Sequence, residues 1–328
     1  MPSFRFRLFG DVNFALLEHA YPAFRIGAVD FSITGDVSQD FSVVSENVLT
    51  IVASERTVFD LDRLYLEWHP KPWFKLRFGR DHLMFGRYLP TYHHPLLFQL
   101  ATVRPAAVAY EREGGWLAAH QIGLEALGDV PIGEELDFRY AVGIGNGRGL
   151  YVGDILSTED RNAFKAVVAQ VGLLPHSLPG FEIGVSGYLD RIPPGFADAT
   201  GRVVLSESVD EQIVGAHVLF ATDTVDAHAE GYYLMHRGHD TGLTSHLIGG
   251  FVQLGVSFAQ WTPYARFDGA DRSVGDTFFN ISGTATRVLQ SRAGVRYELT
   301  DQAVFKLEYL RDFDNALHGA TLQAAFGI

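Results

Sequence analysis

Residues 73–80 read WFKLRFGR, with Phe74, Leu76 and Phe78 on one side and Lys75 and Arg77 on the other. Alternation of period two marks a β-strand with unlike faces. A helix would space its apolar groups three and four residues apart. Immediately before it comes HPKPW (69–73), whose prolines cannot donate to a ladder and so punctuate two strands.

The same period recurs along the chain. In FRFRLFG (4–10), Phe4, Phe6 and Leu8 oppose Arg5 and Arg7. In ELDFRYAVGIG (135–145), Leu136, Phe138, Tyr140, Val142 and Ile144 oppose Asp137, Arg139 and two glycines. FEIGVSGYLD (181–190) sets Phe181, Ile183 and Val185 against Glu182, Gly184 and Ser186. AVFKLEYL (303–310) sets Phe305, Leu307 and Tyr309 against Lys306 and Glu308. Strands are expected near 3–14, 22–35, 41–52, 57–68, 73–80, 116–127, 135–145, 163–174, 181–190, 211–221, 225–236, 244–259, 264–269, 285–298, 304–311 and 319–328.

Such strands suit a soluble sandwich or a transmembrane barrel. The connections discriminate. Those after even-numbered strands are short, and four contain proline; those after odd-numbered strands include the long segments 81–115, 146–162, 191–210 and 270–284. Short turns at one rim and long loops at the other are how outer-membrane barrels are built. Trp68, Trp73, Trp261 and Tyr264 flank short turns, where an aromatic girdle belongs. The chain ends TLQAAFGI, an alternating strand with Phe326 and Ile328 outward.

Composition narrows function. The 328 residues carry 39 acids against 26 Lys and Arg, a net charge of −13 that argues against a nucleic-acid partner. With no cysteine there is no disulfide framework, thiolate nucleophile or cysteine-ligated metal. No apolar run approaches the roughly 18 residues of a membrane helix. Hydropathy alone would suggest a soluble protein; the periodicity overrides it.

DRLYLEWHPKPWFKLRFGRDHLMFGRY (62–88) resembles a hairpin of Gram-negative outer-membrane porins of the general and phosphate-selective kind. FRYAVGIGNGRG (138–149) resembles the strand after their constriction loop, and the terminal strand with Phe326 resembles their assembly signal. The resemblance implies an all-β, 16-stranded antiparallel transmembrane barrel over 1–328, with short periplasmic turns and longer extracellular loops. It also implies a homo-trimer set in outer-membrane lipid and lipopolysaccharide, passing small hydrophilic solutes by diffusion. In that family the third long loop narrows the pore. Here it would be 81–115, with Arg87, Tyr92, His93, His94 and Arg104 as candidate constriction residues. Its apolar content suits a loop folded on the inner wall or one packed across a trimer interface.

Face assignment puts Arg5, Arg7, Arg63, Lys75, Arg77, Arg266, Arg292, Arg296 and Lys306 on the lumen side as basic candidates. The acidic candidates are Asp30, Glu46, Glu182, Asp226 and Glu230. Walls of fixed charge set ion preference, although charged inner faces are also just solvated. Other acids (Glu159, Asp160, Asp198, Glu207, Asp210, Glu211) are assigned to loops.

Competing constellations are weak. VGIGNGRG (142–149) lacks the helix a dinucleotide site needs. His236, His239, Asp240 and His246 read as loop histidines before they read as a metal site, and Asp268, Asp271 and Asp276 lack the EF-hand glutamate. No Ser-His-acid set is supported by a motif, so no enzyme activity, metal or cofactor is expected. MPSFRFRLFG enters a strand directly, so an exported protein would be numbered from its mature start. The expectation is a porin; a non-conducting structural barrel and a soluble carbohydrate-binding β-protein stay open.

Overall fold

A computed structural model describes residues 3–52, 56–92, 95–109, 115–151, 154–156, 162–196 and 203–328. In chain order the first elements are β1 (Ser3–Leu17), β2 (Ala23–Asp36), β3 (Phe41–Val52), β4 (Arg56–Lys71), β5 (Phe74–His82) and the single-turn helix α1 (Tyr88–Thr91). There follow β6 (His120–Ile132), β7 (Leu136–Gly145), a hairpin β8 (Gly149–Tyr151) and β9 (Asp154–Leu156), β10 (Ala166–Pro175) and β11 (Phe181–Ile192). A second small hairpin, β12 (Gly195–Phe196) and β13 (Val203–Leu205), precedes β14 (Val209–Ala221), β15 (Val225–Gly238), β16 (Thr244–Val256) and β17 (Trp261–Arg272). Helix α2 (Thr277–Ser282), β18 (Arg287–Thr300), β19 (Ala303–Asp312) and β20 (Leu317–Gly327) complete the chain.

Sixteen of the strands close into one barrel in sequence order, skipping only the two hairpins, with β1 pairing antiparallel to both β2 and β20. From Phe9 to Leu17 the pairing of β1 with β20 leaves no free sheet edge, which a bilayer core would not tolerate. Turns such as those from Lys71 to Phe74 and from Thr300 to Ala303 line one rim; the long connections stand at the other.

The outer face is apolar. Phe6, Phe59, Phe78, Ile248 and Leu307 are exposed to the surroundings of the barrel, as lipid-facing side chains must be. Trp68, Trp73 and Trp261 sit on this face beside short turns, with Trp68 stacked on Phe41 and Trp261 against Tyr297. Tyr264 does not join that girdle. β17 starts at Trp261, three residues before the sequence suggested, and its alternation turns Tyr264 inward.

The buried apolar core lies inside the barrel. β5 continues to His82 and β6 begins at His120, because Asp81 pairs with Gln121 and His82 with His120. The connection is therefore 83–119, not 81–115. Its Leu83, Phe85, Tyr88, Leu89, Val108, Trp116 and Leu117 pack on Val168, Tyr188, Ile213, Leu234 and Phe251 of the wall. Each large side chain taken from water there stabilises by roughly 1.5–3 kcal/mol. The lumen location, not a covering across a trimer interface, accounts for the loop's apolar sequence.

Candidate functional site

The loop is fastened at points where inward carboxylates meet its backbone. Glu230 on β15 accepts the N–H groups of Arg87 and Tyr88, each at 2.6 Å, with His228 Nε2 at 2.7 Å and the Tyr232 hydroxyl also bonded to it. Gly86 makes that wrap possible. Its φ is +67°, and a Cβ there would run into the Glu230 carboxylate. Its N–H donates to Ser186 Oγ at 3.0 Å. Glu308 on β19 accepts from the Thr102 N–H (3.1 Å) and hydroxyl (2.7 Å), from Tyr264 (3.0 Å) and from Arg292 (2.7 Å). Asp268 on β17 accepts the Ala106 N–H and the Arg266 Nε–H.

Cations on the same wall hold the loop's carbonyls. Arg266 donates to Val103 O and Arg104 O, Lys306 to Leu96 O (2.6 Å) and Ala101 O (3.0 Å), and Arg296 to Leu97 O. Arg266, Arg292, Arg296 and Lys306 thus point inward but spend donors on the loop or its anchor, Glu308. Arg266 and Lys306 are buried under it, 2% and 1% exposed. Asp226, on the inward face of β15, acts on the loop's Tyr92, whose hydroxyl burial and that carboxylate push up to about 12.

The opposite wall is different. A cavity of about 330 Å³ lies between the loop and β4, β5, β6, β7 and β10, lined by Arg63, Lys75, Arg77, Asp81, His82, Arg87, Asp129 and Arg139 among others. Its cations are mostly paired side by side along the wall. Arg63 meets Glu46 at 2.5 Å, Arg77 meets Glu67 (2.8 Å) and Asp81 (2.7 Å), and Arg139 grips Asp129 and Glu182. Arg87 reaches Glu182 from the loop at 3.1 Å, and burial lowers its guanidinium while Glu182 acts to raise it. Lys75 lines the cavity near Asp129, close enough for the two charges to interact. A second cavity of about 440 Å³ shares Arg87 and Arg139 and runs to the short turn at Pro175–Phe181.

The remaining sequence candidates distribute as follows. Arg5 and Arg7 share the face of Phe9 and Asp11 but stand exposed at the short-turn rim, where β1 outruns β20. Asp30 is buried opposite Phe9. Arg104 is buried in the loop, and its carbonyl is used by Arg266. His93 and His94 lie outside the described residues, as do Glu159, Asp160 and Asp198.

Asp210 and Glu211 belong to β14, not to a loop; inward-facing Glu211 holds Arg148 and His236. His236 is further bonded to Asp276, the N-cap of α2, whereas His246 is stacked on exposed Tyr233. His236 and His246 face opposite sides of the wall, so that set forms no site. Asp268 and Asp276 bind different partners and do not converge either.

Missing from the lumen candidates are Arg139, Asp129, Asp81 and Glu308, as well as Asp268, which the sequence offered only as a calcium ligand. Arg139 shares its polar face with Asp137 in an alternating run, which was signal enough. Asp81 and Asp129 sit at strand margins, where alternation gives no direction.

No protein-family model matches the chain, and no curated protein matches it in sequence. Solved structures do. The anion-selective porin of Comamonas acidovorans superposes with a TM-score of 0.64 at 10% identity, covering 100% of both chains. It has the outer-membrane porin fold. A loop L8 deletion mutant of OmpT, an outer membrane protein of Vibrio cholerae, gives 0.68 at 11% identity over 100% of this chain and 99% of that one. Salmonella typhi OmpF gives 0.62 at 10% over 100% and 97%. In this barrel the loop 83–119 lies inside, fastened to β15, β17 and β19.

Proposed function

We propose that the protein is a passive diffusion channel of the outer membrane, with small hydrophilic solutes and ions passing between the loop 83–119 and the β4–β10 wall. The observation that carries it is a pair of cavities that share Arg87 and Arg139 in their linings, the first mainly polar and the second reaching the short-turn rim. The pore-lining set is then Arg63, Lys75, Arg77, Arg87 and Arg139 with Asp81, Asp129 and Glu182. Five bases against three acids give a weak preference for anions. Arg266, Arg292, Arg296 and Lys306 act as loop anchors instead. Nothing is catalysed; selectivity is sieving plus a local field. The short turns face the periplasm and the long loops the exterior.

The same reading makes the protein a homo-trimer in lipid and lipopolysaccharide. Outward Phe4, Phe6, Phe24, Ile26 and Phe59 on β1, β2 and β4 form a broad apolar face, and one of the OmpT structures is described as a trimer. Planar-bilayer recording in a salt gradient tests the proposal. Conductance steps in threes with an anion-side reversal potential are expected. Detergent-stable protein that never conducts would overturn it in favour of the structural barrel.

A further inference from the structure

At the root of the loop, three side chains from three neighbouring strands converge. His82 ends β5 and His120 starts β6, and the two are direct cross-strand partners with rings 5.5 Å apart. Asp62 reaches them from β4 by a register irregularity. Glu46 pairs with Arg63 but the next residue, Asn47, pairs with Leu61, so Asp62 is the extra residue of a β-bulge. Bulges re-aim side chains, and this one turns both Asp62 and Arg63 inward. The Asp62 carboxylate then meets His82 Nε2 through one oxygen and His120 Nε2 through the other, each at 2.7 Å.

We infer that Asp62, His82 and His120 form a binding site for a divalent transition cation of the zinc or copper kind. Two imidazole nitrogens and one carboxylate oxygen are the donor set such borderline ions take. The three ligand atoms lie within 4.8 Å of one another, so side-chain adjustments of about 1 Å place them around an ion at the roughly 2 Å bonds it makes. All three residues are at most 7% exposed, which keeps their geometry fixed. His82 also lines the 330 Å³ cavity, giving an ion an aqueous approach and a water molecule for the fourth position. To bind the ion through Nε2 each neutral imidazole carries its single proton on Nδ1 instead, a change of tautomer; no redox step is involved. The neighbouring Arg63 charge is neutralised by Glu46 at 2.5 Å. Leu83 N–H bonds Ala119 O next door, so a bound ion clamps the two ends of the loop to β4.

The site is independent of the channel reading and is tested without measuring current. Detergent-purified, chelator-stripped protein is titrated with Zn²⁺ and its metal content measured after desalting. The expected result is one ion per chain, with His82→Ala and His120→Ala each binding at least about tenfold more weakly and Asp62→Asn also weakened. Retention by both histidine variants at the wild-type level, or no retention by the wild type, overturns the inference. Paramagnetic resonance of wild-type protein with one equivalent of Cu²⁺ needs no variant. Two coupled imidazole nitrogens per ion support the site; a one-nitrogen or all-oxygen signal overturns it.

Discussion

The two halves of the barrel interior carry the same kinds of residue and use them differently. Along β15–β19, acids and bases meet the backbone of the loop 83–119, with Glu230, Glu308 and Asp268 accepting N–H groups and Lys306, Arg266 and Arg296 holding carbonyls. Along β4–β10, Arg63, Arg77 and Arg139 pair with acids of their own wall and keep a flank toward a cavity. A charge whose donors are satisfied by a buried backbone contributes to stability. A charge beside water contributes to the field a solute meets. An inward charge is therefore no guide to selectivity until its partner is known.

The sharpest way to break this contrast is Glu230→Ala. It strips partners from two loop N–H groups, His228 and Tyr232, and should lower the unfolding free energy by ~3 kcal/mol or more, read by urea unfolding in detergent. Released at Gly86, the loop should also give noisier and larger single-channel currents. An unchanged trace would mean that the loop is held elsewhere.

Lys306→Met is the next largest. Two loop carbonyls, Leu96 O and Ala101 O, lose their donor, for an expected cost of about 2 kcal/mol, while the reversal potential stays put. Lys75→Met should do the reverse. Its stability change stays within about 0.5 kcal/mol, and the reversal potential moves toward cations because a positive charge lining the cavity is gone. If Lys306→Met shifts selectivity as much as Lys75→Met, the two walls are not distinct.

The smallest effect is at the mouth of the open side. His176 lines the second cavity, and hydrogen bonding to Glu134 O, then to Asp137, raises its imidazole above the ordinary value. The raised group stabilises fully below the ordinary pKa of about 6.5, and that contribution is lost as pH rises through the raised value. The same protonation adds positive charge to the mouth, so anion preference should strengthen slightly as pH falls. His176→Gln should abolish the drift, followed by reversal potential against pH.

Much of this is legible in the sequence. Alternation in residues 73–80, 135–145 and 303–310 gave strand identity and the inward direction of Lys75, Arg77 and Lys306, because a strand's side chains switch faces every residue. It failed where the period broke or shifted. Tyr264 was misplaced by a strand that begins earlier, and Asp62 escaped notice because a bulge suspends the period. His82 and His120 stand 38 positions apart and Asp62 another 20 before them, a spacing with no motif in it; pairing of β5 with β6 makes them neighbours.

What the sequence determined by itself was the closed antiparallel barrel, its apolar outside and the charges on its inner face, and the rim that bears long loops, since these follow from period and connection length. Only the tertiary structure decided which inward charges serve the loop and which face the cavity. That outcome depends on where the loop comes to lie, and its resting place is set by contacts such as Thr102 with Glu308 across 206 positions of chain. No local pattern encodes an interaction at that range, because each partner alone looks like any other polar residue on an inner face.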